Sequence, residues 1–137
     1  MIKKTKKSLV KPSKTYRVIV NDNIVSLIFS KNLKEKEQNI EMSARASAEV
    51  LNFLKRNKNK KMSLLIDVGK LKDVIFAPRQ SRINYASMSY PNLKKVAVVS
   101  ENIYIKVIAK SIIFISGTKI DFGCFNNKKE ALLWLKN

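Results

Sequence analysis

A chain of 137 residues is long enough for one domain that buries roughly two thirds of the surface its unfolded form exposes, and its 45% apolar content is that of an ordinary globular protein. Its charge is less ordinary, since 28 Lys and Arg against 10 Asp and Glu give a formal net charge of +18. With no histidine and one cysteine, Cys124, the composition excludes an internal disulfide, a histidine or cysteine zinc cluster and a histidine general base.

Residues 1–14, MIKKTKKSLVKPSK, hold six lysines and no acid. Like charges around Pro12 cannot bury enough apolar surface to offset ordering, so the expectation is a flexible basic tail followed by a domain over 15–137. The tail lacks the apolar run of a secretion signal. VIAKSIIFIS, the most apolar stretch, is interrupted by Lys110 and falls short of the roughly 20 residues a membrane span needs. A cytoplasmic protein with no transmembrane segment is expected.

TYRVIV and NIVSLIF are β-branched and aromatic runs parted by Asn21 and Asp22, which accept tight turns, and they predict an antiparallel hairpin. After the polar connector KNLKEKEQN, Ile40, Ala44, Ala48, Leu51 and Leu54 recur at helical spacing and predict a helix near 40–57 that ends in KRNKNKK. MSLLIDV is the short continuous apolar run of a strand covered on both faces. Gly69 to Phe76 reads as a loop, and Pro78 suits the first turn of a second helix over 78–89, where its missing N–H leaves nothing unpaired. KKVAVVS is another buried strand. In ENIYIKVIAKSIIFISG, Ile105, Ile108, Ile112 and Ile115 share one helix face, with Gly117 as the C-cap. KIDFGCF is the last strand. Asn127 caps the closing helix with Glu130 in the reciprocal position. Ala131, Leu132, Trp134 and Leu135 then form a sheet-facing stripe, while Lys128, Lys129 and Lys136 face water. So short a helix is marginal alone, and burial of Trp134 is what docks it.

The order ββαβαβαβα predicts an α/β fold: a single domain with a five-stranded, mostly parallel sheet, an N-terminal hairpin and four helices, only the first strand being antiparallel. In such a sheet ligands sit beyond the carboxyl ends of the strands. That edge would collect Asp67, Lys70, Lys72 and Asp73, then Ser100, Glu101 and Asn102, then Asn126 and Asn127, with Arg79 and Arg82 of the second helix available to an anion. Asp67 has a structural account, a carboxylate that accepts loop amides, and a functional one, contact with a polar ligand. A lone acid is weak support for catalysis, which needs a second group beside it. The opposite edge would gather Lys55, Arg56, Lys58, Lys60 and Lys61, then Lys94 and Lys95, then Lys119, with Asp22 nearby. Such a patch attracts nucleic acid or anionic lipid without sequence specificity. Cations at helix C-termini and a bias of 23 lysines against 5 arginines also account for it. Gly69, Gly117 and Gly123 are too scattered for a phosphate-binding loop, and Cys124 reads as a core thiol. No cofactor, metal site or catalytic residue is expected.

IDVGKLKDVIFAP, KKVAVVSENIYIKVIAK and the closing F-x4-EALLWLK resemble the SpoIIAA-like group of STAS/SEC14-type domains over roughly residues 15–136. Phe125, Glu130, Ala131, Trp134 and Leu135 carry the most specific part. The resemblance implies a non-enzymatic binding or regulatory domain that acts through protein contact or a small apolar or lipid ligand. Anti-sigma antagonists of this group present a phosphorylatable serine at the start of the helix after the Asp-containing strand. Matching Asp67 and Asp73 to that pattern puts Ala77 and Pro78 there, with Ser81 a turn deeper, so no serine switch is expected. Tyr85, Met88 and Tyr90 are candidates for an adaptable contact surface, Met88 also suiting a core. The expected partners are an unidentified protein, a small apolar or lipid ligand, or a second copy in a homodimer. The competing reading is electrostatic association with nucleic acid or anionic membrane through the tail and the lysine-rich edge.

Overall fold

The computed structural model describes residues 15–31, 33–71, 77–116 and 119–137. The expected basic tail, the loop residues Lys72 and Asp73, and the Gly117 cap lie outside the described residues. In chain order the elements are β1 (Tyr16–Asn21), β2 (Ile24–Phe29), α1 (Lys36–Arg56), β3 (Met62–Asp67), α2 (Arg79–Ala86), β4 (Leu93–Val99), α3 (Ile103–Ser116), β5 (Asp121–Phe125) and α4 (Lys128–Lys136). The strands form one mixed sheet in the order β1-β2-β3-β4-β5. β1 pairs antiparallel with β2, and β2 to β5 run parallel, as expected for one α/β domain.

The hairpin turns one residue later than its sequence suggests. Asn21 is already paired with Ile24, and Asp22 takes the left-handed conformation at φ 55°. Short Asp side chains tolerate that region because they bond locally to the backbone. α1 starts four residues ahead of the expected position, because the Glu35 carboxylate caps it by accepting the Gln38 N–H at 2.8 Å and Glu37 suits the first turn. Its inward face is also rotated from the predicted stripe. Ala44 and Ala48 are exposed, while Asn39, Met42, Ser43, Ala46, Ser47, Val50, Phe53 and Leu54 are buried. Leu54 is buried as predicted and Ile40 and Leu51 are half-buried, but polar residues occupy part of the buried face, so the apolar repeat alone misplaces its centre.

Pro78 stands just before α2 as its extended cap residue instead of in its first turn. α2 ends at Ala86, three residues short of the predicted end, and the chain leaves through tight turns in which Met88 N–H donates to Tyr85 O and Ser89 N–H to Ala86 O. Across the sheet the side chains alternate. Val25, Leu27, Phe29, Met62, Leu64, Val96 and Val98 belong to the larger core, which also holds Met42, Val50, Leu54 and Ile105 from the helices. Leu65, Ala97 and Val99 point the other way, to Ala131 and Leu135 of α4. Thus α1, α2 and α3 share one face of the sheet, and α4 covers β3 to β5 on the other.

The closing helix docks as the sequence predicts. Asn127 Oδ1 accepts the Glu130 N–H at 2.9 Å, and the Trp134 ring lies 5.4 Å from that of Phe125. Gly123 makes this possible: a Cβ there would stand 2.8 Å from the Phe125 ring and 3.6 Å from Trp134. The Lys95 ammonium sits 4.9 Å above the indole and donates to Trp134 O and Asn137 O at 3.1 and 3.2 Å, which closes the helix end.

Candidate functional site

The two faces of the sheet are closed to different degrees. α4 and α1 lie directly on their strands, whereas α3 approaches α2 more closely than the strands beneath it. The result is an apolar cavity of about 120 Å³, measured to the centres of water-sized spheres. Leu27 and Phe29 of β2, Leu64 and Ile66 of β3, Val96 and Val98 of β4 and Phe122 of β5 form its floor. Ile105, Ile108, Ala109, Ile112 and Ile113 of α3 form its roof, and Met42, Tyr85 and Met88 close the side toward α1 and α2. One water needs roughly 10–15 Å³ on this measure. Among the described residues Lys31 is the one charged residue in the lining, and it follows the carboxyl end of β2.

Ile105, Ile108 and Ile112 face inward as predicted, but Ile115 is 43% exposed and Ile113 takes the inward position. Tyr85, Met88 and Tyr90 do not form a surface. Met88 is buried, Tyr85 stacks edge-on against Phe29 at 6.0 Å, and Tyr90 packs against the same core. Burial holds the Tyr85 phenol far above its ordinary pKa. α2, the short wall beside the cavity, is held by a polar seam. Ser81 Oγ donates to Asn39 Oδ1 at 2.6 Å, Asn39 Nδ2 donates to Leu33 O at 2.8 Å, and Asn84 Nδ2 donates to Ser43 Oγ at 2.9 Å. In a low-dielectric setting such bonds specify one register of α2 on α1.

The carboxyl edge gathers the residues predicted for it but does not assemble them. Asp67, Val99 and Phe125 stand in register, so Asp67, Ser100 and Asn126 do share that edge. Asp67 Oδ1 accepts the Gly69 N–H at 2.9 Å, and Ser100 Oγ accepts the Asn102 N–H at 3.0 Å. Asn102 Oδ1 in turn caps α3 by accepting the Tyr104 N–H at 2.8 Å. These polar groups shape turns. Arg79 is exposed and Arg82 half-buried at the start of α2, and no hydrogen bond or ion pair joins either to Asp67 among the described residues. Among the described residues no cluster of carboxylates or cysteine is arranged to hold a metal ion.

The opposite edge is as basic as expected. Lys55, Arg56, Lys58, Lys60, Lys61, Lys94 and Lys119 are all exposed, and exposed Asp22 sits in the hairpin at the same end. One detail differs: Lys94 and Lys95 stand together at the start of β4, but Lys95 leaves the patch because it closes α4. Lys94 Nζ is also engaged, donating to Pro91 O at 3.0 Å, and Arg56 lies 5.8 Å from the Phe53 ring. The end of α1 is completed instead by Asn92, whose Nδ2 donates to Leu54 O and Asn57 O at 2.9 Å each.

Cys124 is half-buried on the α3 side of the sheet, and burial raises its thiol pKa against the opposing effect of Lys106 and Lys110. Sequence reasoning missed the cavity lining at Ala109, Ile113 and Lys31, and it missed the seam. The signals were present: α3 has large apolar residues on both its inner and outer sides, with charge only at Lys106 and Lys110, and Asn39 and Ser43 stand one turn apart on α1. No described helix is long and apolar enough to cross a membrane. Residues 18–137 match a family described as Domain of unknown function (DUF7793). No curated protein and no solved structure matches the chain.

Proposed function

The chain belongs to the DUF7793 family, and from that premise we propose that it is a non-enzymatic binding domain of SpoIIAA-like, STAS/SEC14 type that holds a small apolar ligand between α3 and the sheet. The observation that carries this reading is the cavity itself. A chain that needed only surface recognition would gain by filling that space with its own side chains, because burying apolar surface is worth about 25 cal/mol per Å². Its volume is of the order of the roughly 150 Å³ that accepts one benzene ring in an engineered apolar cavity. The ligand body is therefore one ring or a short alkyl segment, and Lys31 in the lining suits an anionic head.

Burial of Ser81, whose hydroxyl donates to Asn39, supports a domain without a serine switch, since a kinase could not reach it. The engagement of Asp67 by the Gly69 amide supports binding over catalysis.

The test is a homologous series of n-alkyl carboxylates titrated into the chain and followed by thermal unfolding. Affinity should rise about four-fold for each methylene added, at about 0.8 kcal/mol, and stop rising once the cavity is full. A series in which no member shifts the melting point would dismiss the reading. The exposed lysines of the amino edge favour a second, electrostatic reading with nucleic acid or anionic membrane as partner. Affinity for an oligonucleotide should then fall by orders of magnitude from low to physiological salt, and a salt-independent affinity would reject it.

A further inference from the structure

Large apolar side chains stand together in water on the outer side of α3. Ile103 is 68% exposed, Tyr104 73%, Val107 63% and Phe114 87%. At 3.6 residues per turn, Ile103, Val107 and Phe114 project from one side of the helix, opposite Ile105 and Ile112. Ser111, the hydroxyl beside them, turns back to donate to Ile108 O at 2.7 Å, so this side offers little polarity. A helix that is apolar all round is ordinarily buried all round. The inner side of α3 lines the cavity, and its outer side lacks a cover among the described residues.

Charge decides what fits there. From residue 102 to residue 120 the chain carries Lys106, Lys110 and Lys119 and no acid, within a molecule of net charge +18. α3 runs from the Asn102 cap back to the edge where Lys94 and Lys119 lie, so its Phe114 end meets the lysine-rich edge. A second copy would bring Lys106 and Lys110 against their own counterparts. The chain's own residues 1–14, with six lysines, carry the same unfavourable charge. A partner with negative charge around an apolar interior meets neither objection. We infer that the outer side of α3 docks on an anionic lipid bilayer, with the helix lying in the headgroup plane. At about 1.5 Å per residue its 14 residues reach far less than a bilayer core requires, which selects lying over spanning. Tyr104, with an apolar ring and a polar tip, suits the headgroup level. Lys106 and Lys110 border the apolar side along one edge, where an interfacial helix can set its cations against anionic lipid.

The test uses the full chain with phosphatidylcholine vesicles, with and without phosphatidylserine, read by cosedimentation. Binding is expected only with phosphatidylserine. Phe114→Ser should weaken it about ten-fold or more, and Lys106→Gln and Lys110→Gln about five-fold each. Phe114→Trp adds a readout of contact: brominated acyl chains should quench the introduced indole. The basic edge and tail could bind the same vesicles by charge alone. In that event Phe114→Ser binds as tightly as the native chain and the introduced indole stays unquenched, and the inference is overturned. It is overturned equally by equal binding to neutral vesicles, or by a dimer that Phe114→Ser dissolves. This docking does not rest on a ligand in the cavity: Ala109→Phe should abolish alkyl carboxylate binding and leave vesicle binding intact, so either reading can fail alone.

Discussion

Filling the cavity from above is the most direct perturbation of the site. Ala109 lies in the α3 roof over Val96 and Val98, and Ala109→Phe projects a ring into the space that a ligand would take. Burying a phenyl ring in an apolar space of about 120 Å³ is worth up to about 3 kcal/mol. The ring recovers part of this, while helix propensity and rotamer ordering together take back about 1 kcal/mol. The net expectation is a stabilisation of about 1 kcal/mol, a rise of roughly 3–5 °C in Tm for a domain of this size. Ligand affinity moves the other way, falling at least ten-fold, because the volume that stabilised the complex is occupied. Thermal unfolding and alkyl carboxylate titration on the same sample read both quantities, and Ala109→Leu should fall between native and Phe. A loss of more than about 2 kcal/mol with affinity unchanged would refute the reasoning. It would mean that Ala109 is tightly packed and that the ligand binds elsewhere.

Three further outcomes follow from the same structure. Asn39→Ala strands the Ser81 hydroxyl and the Leu33 carbonyl and should cost about 1–3 kcal/mol in denaturant unfolding, whereas a loss below about 0.5 kcal/mol would show that the seam does not hold α2. Burial, the largest cause, raises the Glu49 pKa, and Glu49 Oε2 accepts the Tyr16 hydroxyl. The folded chain keeps that proton to higher pH than the unfolded one, so the group contributes stability below about pH 4.3 that is lost as pH rises through the folded value. Glu49→Gln should remove this loss, so its stability relative to the native chain improves from about pH 4 toward neutrality, and parallel pH profiles would contradict the assignment. With its thiol pKa raised by burial, Cys124 should reach half its maximal alkylation rate at a pH above the roughly 8.5 at which a free thiol is half ionised, and a midpoint at or below that pH would disagree.

The fold was legible wherever side-chain period and chain punctuation agree. Alternation in TYRVIV, continuous apolar runs in MSLLIDV and KKVAVVS, and the Asn127 cap before the Trp134 stripe each specify one solution. The side of α1 that faces inward was not legible, because Asn39 and Ser43 are buried against hydrogen-bond partners on α2, 42 residues away in the case of Asn39 and Ser81. Local pattern carries no record of such a partner. The site failed for a different reason. Predicted ligands at the carboxyl edge were chosen by polarity, and Asp67, Ser100 and Asn102 use their polarity on the turns that contain them. A cavity is a property of distance between elements, and Ala109 or Val98 reads the same whether the neighbouring helix stands near or far.

The placement of the largest side chains explains why the space opens on this face. Trp134 and Phe125 both serve the α4 side, where one short helix must cover three strands, and Gly123 gives up its own side chain so that the two rings can close on the sheet. On the opposite side Phe29 and Tyr85 meet at the α2 side of the cavity and Phe122 lies in its floor, while above Val96 and Val98 the roof offers only Ala109 and β-branched isoleucines. Isoleucine is stiff at χ1 and does not reach down as an unbranched side chain would. α3 therefore rests on α2 and on the rim of the floor instead of on its centre. Such a helix loses less by contacting a second apolar phase on its outer side than one sealed to the sheet. The same sequence choice, large apolar residues on both sides of α3, accounts for the cavity beneath it at Ile105, Ile108 and Ile112 and for the apolar surface above it at Ile103, Val107 and Phe114.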